Sequence, residues 1–136
     1  DPGAELVRLA HKNNIRIIPL VGPSSILLAL MASGLNGQQF TFNGYLPIES
    51  NARFSKIIEL EKLSISRNQT QIFIEAPYRN QKLLEQLVKT CSDSTNLCIA
   101  SHLTFSNEMV ATRTIKEWNR SLPDINKIPT IFLLHG

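Results

Sequence analysis

The chain has 136 residues and a mass of 15.3 kDa, which is the size of one compact domain. Hydrophobic residues make up 43% and charged residues 18%, a balance that excludes wholesale disorder. The formal net charge of +3 is too small for a polycationic nucleic-acid arm. The longest apolar stretch, Ile26 to Ala32, is too short to span a membrane, so we expect no membrane partner.

The first part of the chain predicts a helix, a strand and a second helix. Asp1 followed by Pro2 is typical of a helix start, with Asp as the N-cap. The apolar run over residues 15–20 predicts a short buried strand, and a Gly-Pro-Ser sequence then leads into a strongly apolar helix over residues 25–33. Turn residues at 34–39 predict a domain boundary.

Strands and helices alternate over the rest of the chain. The predicted strands cover residues 40–46, 71–75, 97–101, 109–112 and 130–134, and the predicted helices cover residues 51–63, 78–90 and 115–120. This pattern predicts an α/β fold with a mixed sheet and helices on both faces. The first 35 or so residues cannot close a sheet of their own, so we expect them to be the end of a domain that begins before this sequence.

Cysteines and histidines do not have the spacing of a metal site. Cys91 and Cys98 are seven positions apart and lack CxxC spacing, and the histidines are scattered at 11, 102 and 135. Two buried thiols in a reducing compartment are the favoured interpretation. No secretory pattern opens the sequence, so we expect a cytoplasmic protein.

Residues 22–25, Gly-Pro-Ser-Ser, lie between a predicted strand and a helix N-terminus. The free N–H groups there could hold an anion or a polar ligand, although a serine that merely caps a buried helix is the favoured alternative. The chain lacks the GxSxG nucleophile motif, a P-loop and a GxGxxG fingerprint. These absences argue against serine-hydrolase, P-loop and dinucleotide-binding chemistry.

Polar and small residues follow the predicted strands at the ends where open α/β sheets bind ligands. Glu75 and Ala76 directly follow one strand, and Arg79 in the next turn could reach an anionic partner. An ordinary turn with an exposed arginine is an equal alternative. The basic residues of the helix over residues 51–63 and its C-terminal flank are interpreted as a solvated face rather than an RNA surface; they are Arg53, Lys56, Lys62 and Arg67.

Four segments in this order carry a resemblance to a known family: DPGAELVRLAHKNNIRIIPLVGPSS, NGYLP, IFIEAPYR and IPTIFLLHG. Together they resemble the tetrapyrrole (corrin/porphyrin) methylase superfamily, nearest its ribosomal small-subunit RNA (cytidine-2′-O)-methyltransferase branch. The resemblance implies two α/β domains with S-adenosylmethionine in the cleft between them, and homodimers. It implies that residues 1–37 end the N-terminal domain and that residues 38–136 form the C-terminal one. A fragment of this kind is expected to be inactive alone.

The same resemblance implies which residues bind the cofactor, largely through main-chain atoms. They are three strand-end pairs: Glu75 and Ala76, Leu103 and Thr104, and Pro129 and Thr130. It implies a methyl acceptor that is either RNA or a tetrapyrrole-like small molecule. No catalytic residue is assigned, although His102 and Glu108 lie in the loop expected to face the acceptor.

The sequence departs from the pattern of the RNA-modifying branch at the acceptor loop. That branch usually carries Arg-Glu-Leu-Thr-Lys followed by His-Glu-Glu, whereas this chain has Ser-His-Leu-Thr-Phe at 101–105 and Asn-Glu-Met at 107–109. Ile128 and Pro129 replace the usual Gly-Glu before the last strand. The lost charges leave two alternatives to methyl transfer: a binding domain that keeps only the fold, and an RNA-binding half-domain that uses its basic helix.

Overall fold

A computed structural model describes residues 3–136, and its centre is a mixed five-stranded sheet with helices on both faces. The strands are β1 (Phe40–Tyr45), β2 (Thr70–Ile74), β3 (Asn96–Ser101), β4 (Met109–Thr114) and β5 (Thr130–His135). The helices are α1 (Gly3–Lys12), α2 (Ser25–Ser33), α3 (Ser50–Arg67), α4 (Asn80–Thr90) and α5 (Ile115–Trp118), with a 3₁₀ turn at Pro77–Arg79. The predicted fold class is confirmed; the predicted cap at Asp1 and Pro2 lies outside the described residues.

The order of the strands, β1-β2-β5-β3-β4, brings several strand ends to one edge of the sheet. β1 and β2 are parallel, β5 is antiparallel to both β2 and β3, and β4 is antiparallel to β3. The carboxyl ends of β1, β2 and β3 therefore lie at the same edge as the amino ends of β4 and β5. We call this edge the strand-end edge.

Apolar residues cover both faces of the sheet, which is why its three inner strands, β2, β5 and β3, are almost continuously buried. On one face α3, α4 and α5 pack over a core that contains Phe73, where the ring stacks on Phe132 at a centroid distance of 5.9 Å. On the other face Ala29 and Leu30 of α2 pack over β3 and β5. α2 is held there because the Thr112 hydroxyl of β4 donates a hydrogen bond to its last carbonyl over 2.6 Å.

The predicted strand over residues 15–20 is wrong. Residues 15–24 have no regular secondary structure, and Ile18 and Leu20 are 63% and 88% exposed. Isoleucine and leucine favour a strand only where the backbone can pair with a neighbouring strand and the side chains can pack against a buried face. No strand among residues 3–136 lies beside this segment, so its backbone has no ladder to join.

Both cysteines are buried and free, as predicted. Burial raises the pKa of Cys91 to about 12 and also raises the pKa of Cys98, so both thiols are protonated at neutral pH. Within the described residues, no helix combines the length and the apolar character needed to cross a membrane.

Glu49 caps α3, and this contact predicts a pH dependence of stability. Its carboxylate accepts hydrogen bonds from the backbone N–H groups of Asn51 and Ala52, over 2.9 and 2.6 Å, which lowers the pKa of Glu49. A lowered folded-state pKa stabilises the fold above the unfolded value of about 4.3, and this stabilisation is lost as the pH falls through the folded value. We therefore expect Glu49→Gln to lower the melting temperature at pH 7 and to have a smaller effect at pH 3. Glu85→Gln makes the same charge change at an exposed position of α4 and is the matched control. If Glu49→Gln lowered the melting temperature equally at both pH values, the prediction would be contradicted.

Candidate functional site

A cavity of about 330 Å³ opens at the strand-end edge, between the sheet and the first turn of α2. Its volume is at the lower end of the range for small-molecule sites. We call it the strand-end cavity, and its walls include Ser25, Ile26, Phe42, Glu75, Leu103 and Thr130. The position is the one at which open α/β sheets bind ligands, because several strands end together there.

Four of the six residues predicted to bind a cofactor line this cavity: Glu75, Leu103, Pro129 and Thr130. Ala76 follows directly on Glu75 but is not part of the wall. Thr104 lies on the other side of Leu103, where it lines a smaller surface depression together with Glu108. The structure thus brings together residues from the ends of β2 and β3 and the start of β5; their role in binding stays a prediction.

The N-terminus of α2 faces the same cavity. Ser24 occupies the N-cap position, but its side chain makes no capping hydrogen bond to any of residues 3–136. The predicted N-cap position of Ser24 is therefore confirmed without a capping hydrogen bond from its side chain, and Ser25 beside it lines the cavity. The Gly-Pro-Ser-Ser motif was the feature of the sequence that pointed to this wall of the cavity. No motif could have identified the wall residues Phe42 and Phe105.

Arg79 is occupied by contacts within the chain. Its Nη2 lies 2.7 Å from Oε1 of buried Glu75, its Nη1 lies 2.5 Å from the Tyr78 hydroxyl, and its guanidinium stacks on the Tyr78 ring. The hydrogen bond to Glu75 raises the pKa of Arg79 further above its usual range. The Glu75 Oε1 also accepts the N–H of Ala76 over 2.6 Å. Arg79 therefore stabilises the turn after β2. It is neither a free arginine that awaits an anionic partner nor an exposed arginine without contacts.

The loop between β3 and β4 is held in a strained shape beside the cavity. His102 and Thr104 have positive φ angles of 51° and 72°, which are unfavourable for a residue with a Cβ and most of all for a β-branched one. The N–H of Thr104 donates to Glu108 Oε2 over 2.7 Å, and the N–H of His102 donates to the carbonyl of Pro129 over 3.2 Å. The Glu108 carboxylate thus fixes the loop, while His102 lines the cavity.

Replacing Thr104 by glycine is expected to stabilise the protein. Glycine adopts a φ of 72° without steric cost, so Thr104→Gly should raise the free energy of unfolding by about 1 kcal/mol in a urea titration. Thr104→Ala keeps a Cβ and should gain less. A loss of stability in the glycine variant would show that the threonine side chain stabilises this loop by more than its backbone strain costs.

Comparison with known proteins places the chain in a family. No family profile matches it. The ribosomal RNA small subunit methyltransferase I of Vibrio cholerae is 32% identical over 139 aligned residues, which cover 100% of this chain and 47% of that protein. The protein of the same name from Haemophilus influenzae is 31% identical, over 100% of this chain and 48% of its own length. This chain therefore spans about half the length of these curated relatives.

Two solved structures share the fold. The methyltransferase CobJ matches with a TM-score of 0.59 and 17% identity, over 100% of this chain and 61% of that one. The cobalt precorrin-4 methyltransferase CbiF matches with a TM-score of 0.56 and 13% identity, over 98% of this chain and 57% of that one. The likeness in fold agrees with the likeness in sequence. The chain belongs to the tetrapyrrole methylase superfamily, beside the ribosomal RNA small subunit methyltransferase I proteins.

Proposed function

We propose that this chain is part of a methyltransferase that uses S-adenosylmethionine and that the strand-end cavity holds the nucleoside portion of this cofactor. The observation that carries the proposal is the meeting of three strand ends at one cavity in this fold. We further propose that residues 1–37 end an N-terminal methylase domain, that residues 38–136 form the C-terminal one, and that the whole protein is a cytoplasmic homodimer.

The walls of the cavity suit an uncharged nucleoside. They are mainly apolar. Among residues 3–136, the only acidic or basic side chains in the wall are His102 and Glu75, and the carboxylate of Glu75 is paired with Arg79. No lysine or arginine of the described residues lines the cavity, so this part of the chain offers no cationic side chain to a phosphate-bearing cofactor. The backbone N–H of Leu103 has no hydrogen-bond partner in the described part of the chain and is available to a polar ligand atom.

S-adenosylmethionine supplies an electrophilic methyl group on a sulfonium when it is bound, so the protein need not generate an activated group of its own. What this chain contributes is shape and orientation. Apolar walls from α2, β1 and β5 shape the cavity, and the loop held by Glu108 fixes the wall nearest the expected acceptor. Because the sequence relatives at 32% and 31% identity are named for ribosomal RNA, RNA is the proposed acceptor; a tetrapyrrole-like molecule is the alternative.

The contacts on α3 speak against an RNA-binding half-domain. Arg53 is buried with its guanidinium on the side-chain oxygen of Gln86, and Lys56 pairs with Glu59 at 2.8 Å. Half of the basic side chains on this helix are therefore engaged within the fold. A binding domain without catalysis remains the alternative that experiment must decide.

Calorimetric titration of S-adenosylhomocysteine into the full encoded polypeptide tests the proposal. We expect saturable binding with about one site per chain and no competition by ATP, because the described part of the cavity wall offers no cationic side chain to the phosphates. Absence of binding by a well-folded protein would contradict the proposal and favour the domain that keeps only the fold.

A further inference from the structure

Two sides of the strand-end cavity belong to segments that are distant in sequence. One side is the turn after β2, residues 75–79, and the other is the entry to β5, residues 127–130. We propose that Asn80, at the start of α4, is a positioning residue that fixes these two sides relative to each other and so sets the affinity for the nucleoside. The proposal rests on the proposed function of the cavity.

Asn80 links the two sides through one carbonyl group. Its side chain is fully buried, and its Nδ2 donates to the carbonyl oxygen of Ile128 over 2.6 Å. The same carbonyl accepts a hydrogen bond from the Thr130 hydroxyl over 2.9 Å. Because Thr130 lines the cavity, a displacement of the Ile128 carbonyl moves a group in the cavity wall.

The orientation of the Asn80 amide is fixed by this contact. Rotating the amide by half a turn would place its oxygen against the Ile128 carbonyl, where no proton is available. In the observed orientation Oδ1 is buried and has no hydrogen-bond partner within residues 3–136. A buried acceptor without a partner lowers stability, and an apolar side chain at this position would avoid that cost. The asparagine is thus suited to holding the carbonyl rather than to packing.

The neighbouring contacts do not act on this carbonyl. The N–H of Lys127 donates to the carbonyl of Pro77 over 3.0 Å, a backbone contact that no side-chain change removes. Gln81, the neighbour of Asn80, accepts the N–H of Ile125 over 3.0 Å, three residues before Ile128 and outside the cavity wall. Gln81 therefore supplies a matched control: it holds Ile125, in the chain leading to the entry of β5, without touching the wall.

The test compares three variants in the full encoded polypeptide. Asn80→Leu and Asn80→Ala both remove the donor, the first with an apolar side chain of similar size and the second by truncation; Gln81→Met removes the control contact. We expect both Asn80 variants to raise the Kd for S-adenosylhomocysteine at least tenfold, measured well below their melting temperatures. We expect Gln81→Met to leave the Kd within twofold even where it lowers the melting temperature.

Amide hydrogen exchange of the ligand-free protein provides a second readout. Exchange at residues 130–131 should be faster in the Asn80 variants than in Gln81→Met. Wild-type affinity in either folded Asn80 variant, or an equal rise in Kd for Gln81→Met, would overturn the proposal. If the wild type itself does not bind, the proposed function fails, and unchanged exchange at residues 130–131 would then separately overturn the positioning role of Asn80.

Discussion

Phe73→Ala is expected to lower the free energy of unfolding by about 3–5 kcal/mol. Phe73 is fully buried in β2, directly opposite Phe132 of β5, and the two rings are stacked at 5.9 Å with an interplanar angle of 11°. The substitution removes this contact and leaves a cavity between the sheet and its helices. A loss of this size is a large part of the 5–15 kcal/mol that stabilises a typical domain, so urea denaturation will detect it readily.

Phe54→Ala is the control for this prediction. Phe54 lies on α3 and is 47% exposed, so its truncation should change the free energy of unfolding by about 0.5 kcal/mol or less. Equal losses in the two variants would show that Phe73 does not occupy the core of the sheet as described.

Ser25→Trp is expected to abolish binding of S-adenosylhomocysteine, with a rise in Kd of at least a hundredfold. Ser25 is exposed at the first turn of α2 and lines the strand-end cavity, so an indole at this position fills the space proposed for the nucleoside. Because the serine is exposed, the larger side chain should fit without disturbing the core. Calorimetric titration of the full encoded polypeptide measures the effect.

Leu27→Trp is the matched control on the same helix. Leu27 is 50% exposed and lines neither the cavity nor the neighbouring depression, so this variant should bind like the wild type. Full affinity in Ser25→Trp, or an equal loss in Leu27→Trp, would show that the nucleoside does not occupy this cavity.

Much of the fold could be predicted from periodicity alone. The strands and helices after residue 39 appear where apolar alternation and helical spacing predict them, because each buries the face that its pattern marks as apolar. α3 continues to Arg67, beyond its predicted end at 63, and stops where Asn68 adopts a φ of 48°. The prediction of a strand over residues 15–20 was wrong because a strand needs neighbouring strands to pair with, and a local sequence pattern does not show whether they are present.

The candidate site was only half predictable for a similar reason. That Glu75, Leu103 and Thr130 follow or begin strands is readable from the sequence, and the strand order then brings them to one edge. Phe42 reaches the cavity from β1, which carries an extra residue between the pairs Phe42–Ile72 and Tyr45–Ile74. Such a bulge sets which side chains face the cavity, and it depends on pairing with another strand rather than on local sequence.

Hydrogen exchange of the full encoded polypeptide, with and without S-adenosylhomocysteine, tests the central claim most directly. The account predicts slower amide exchange on binding at residues 75–76, 102–105 and 130–131, the segments that meet at the strand-end edge, and unchanged exchange over the outer helix α3. Protection confined to other segments, or none at a saturating concentration, would contradict the assignment of the cofactor to this edge.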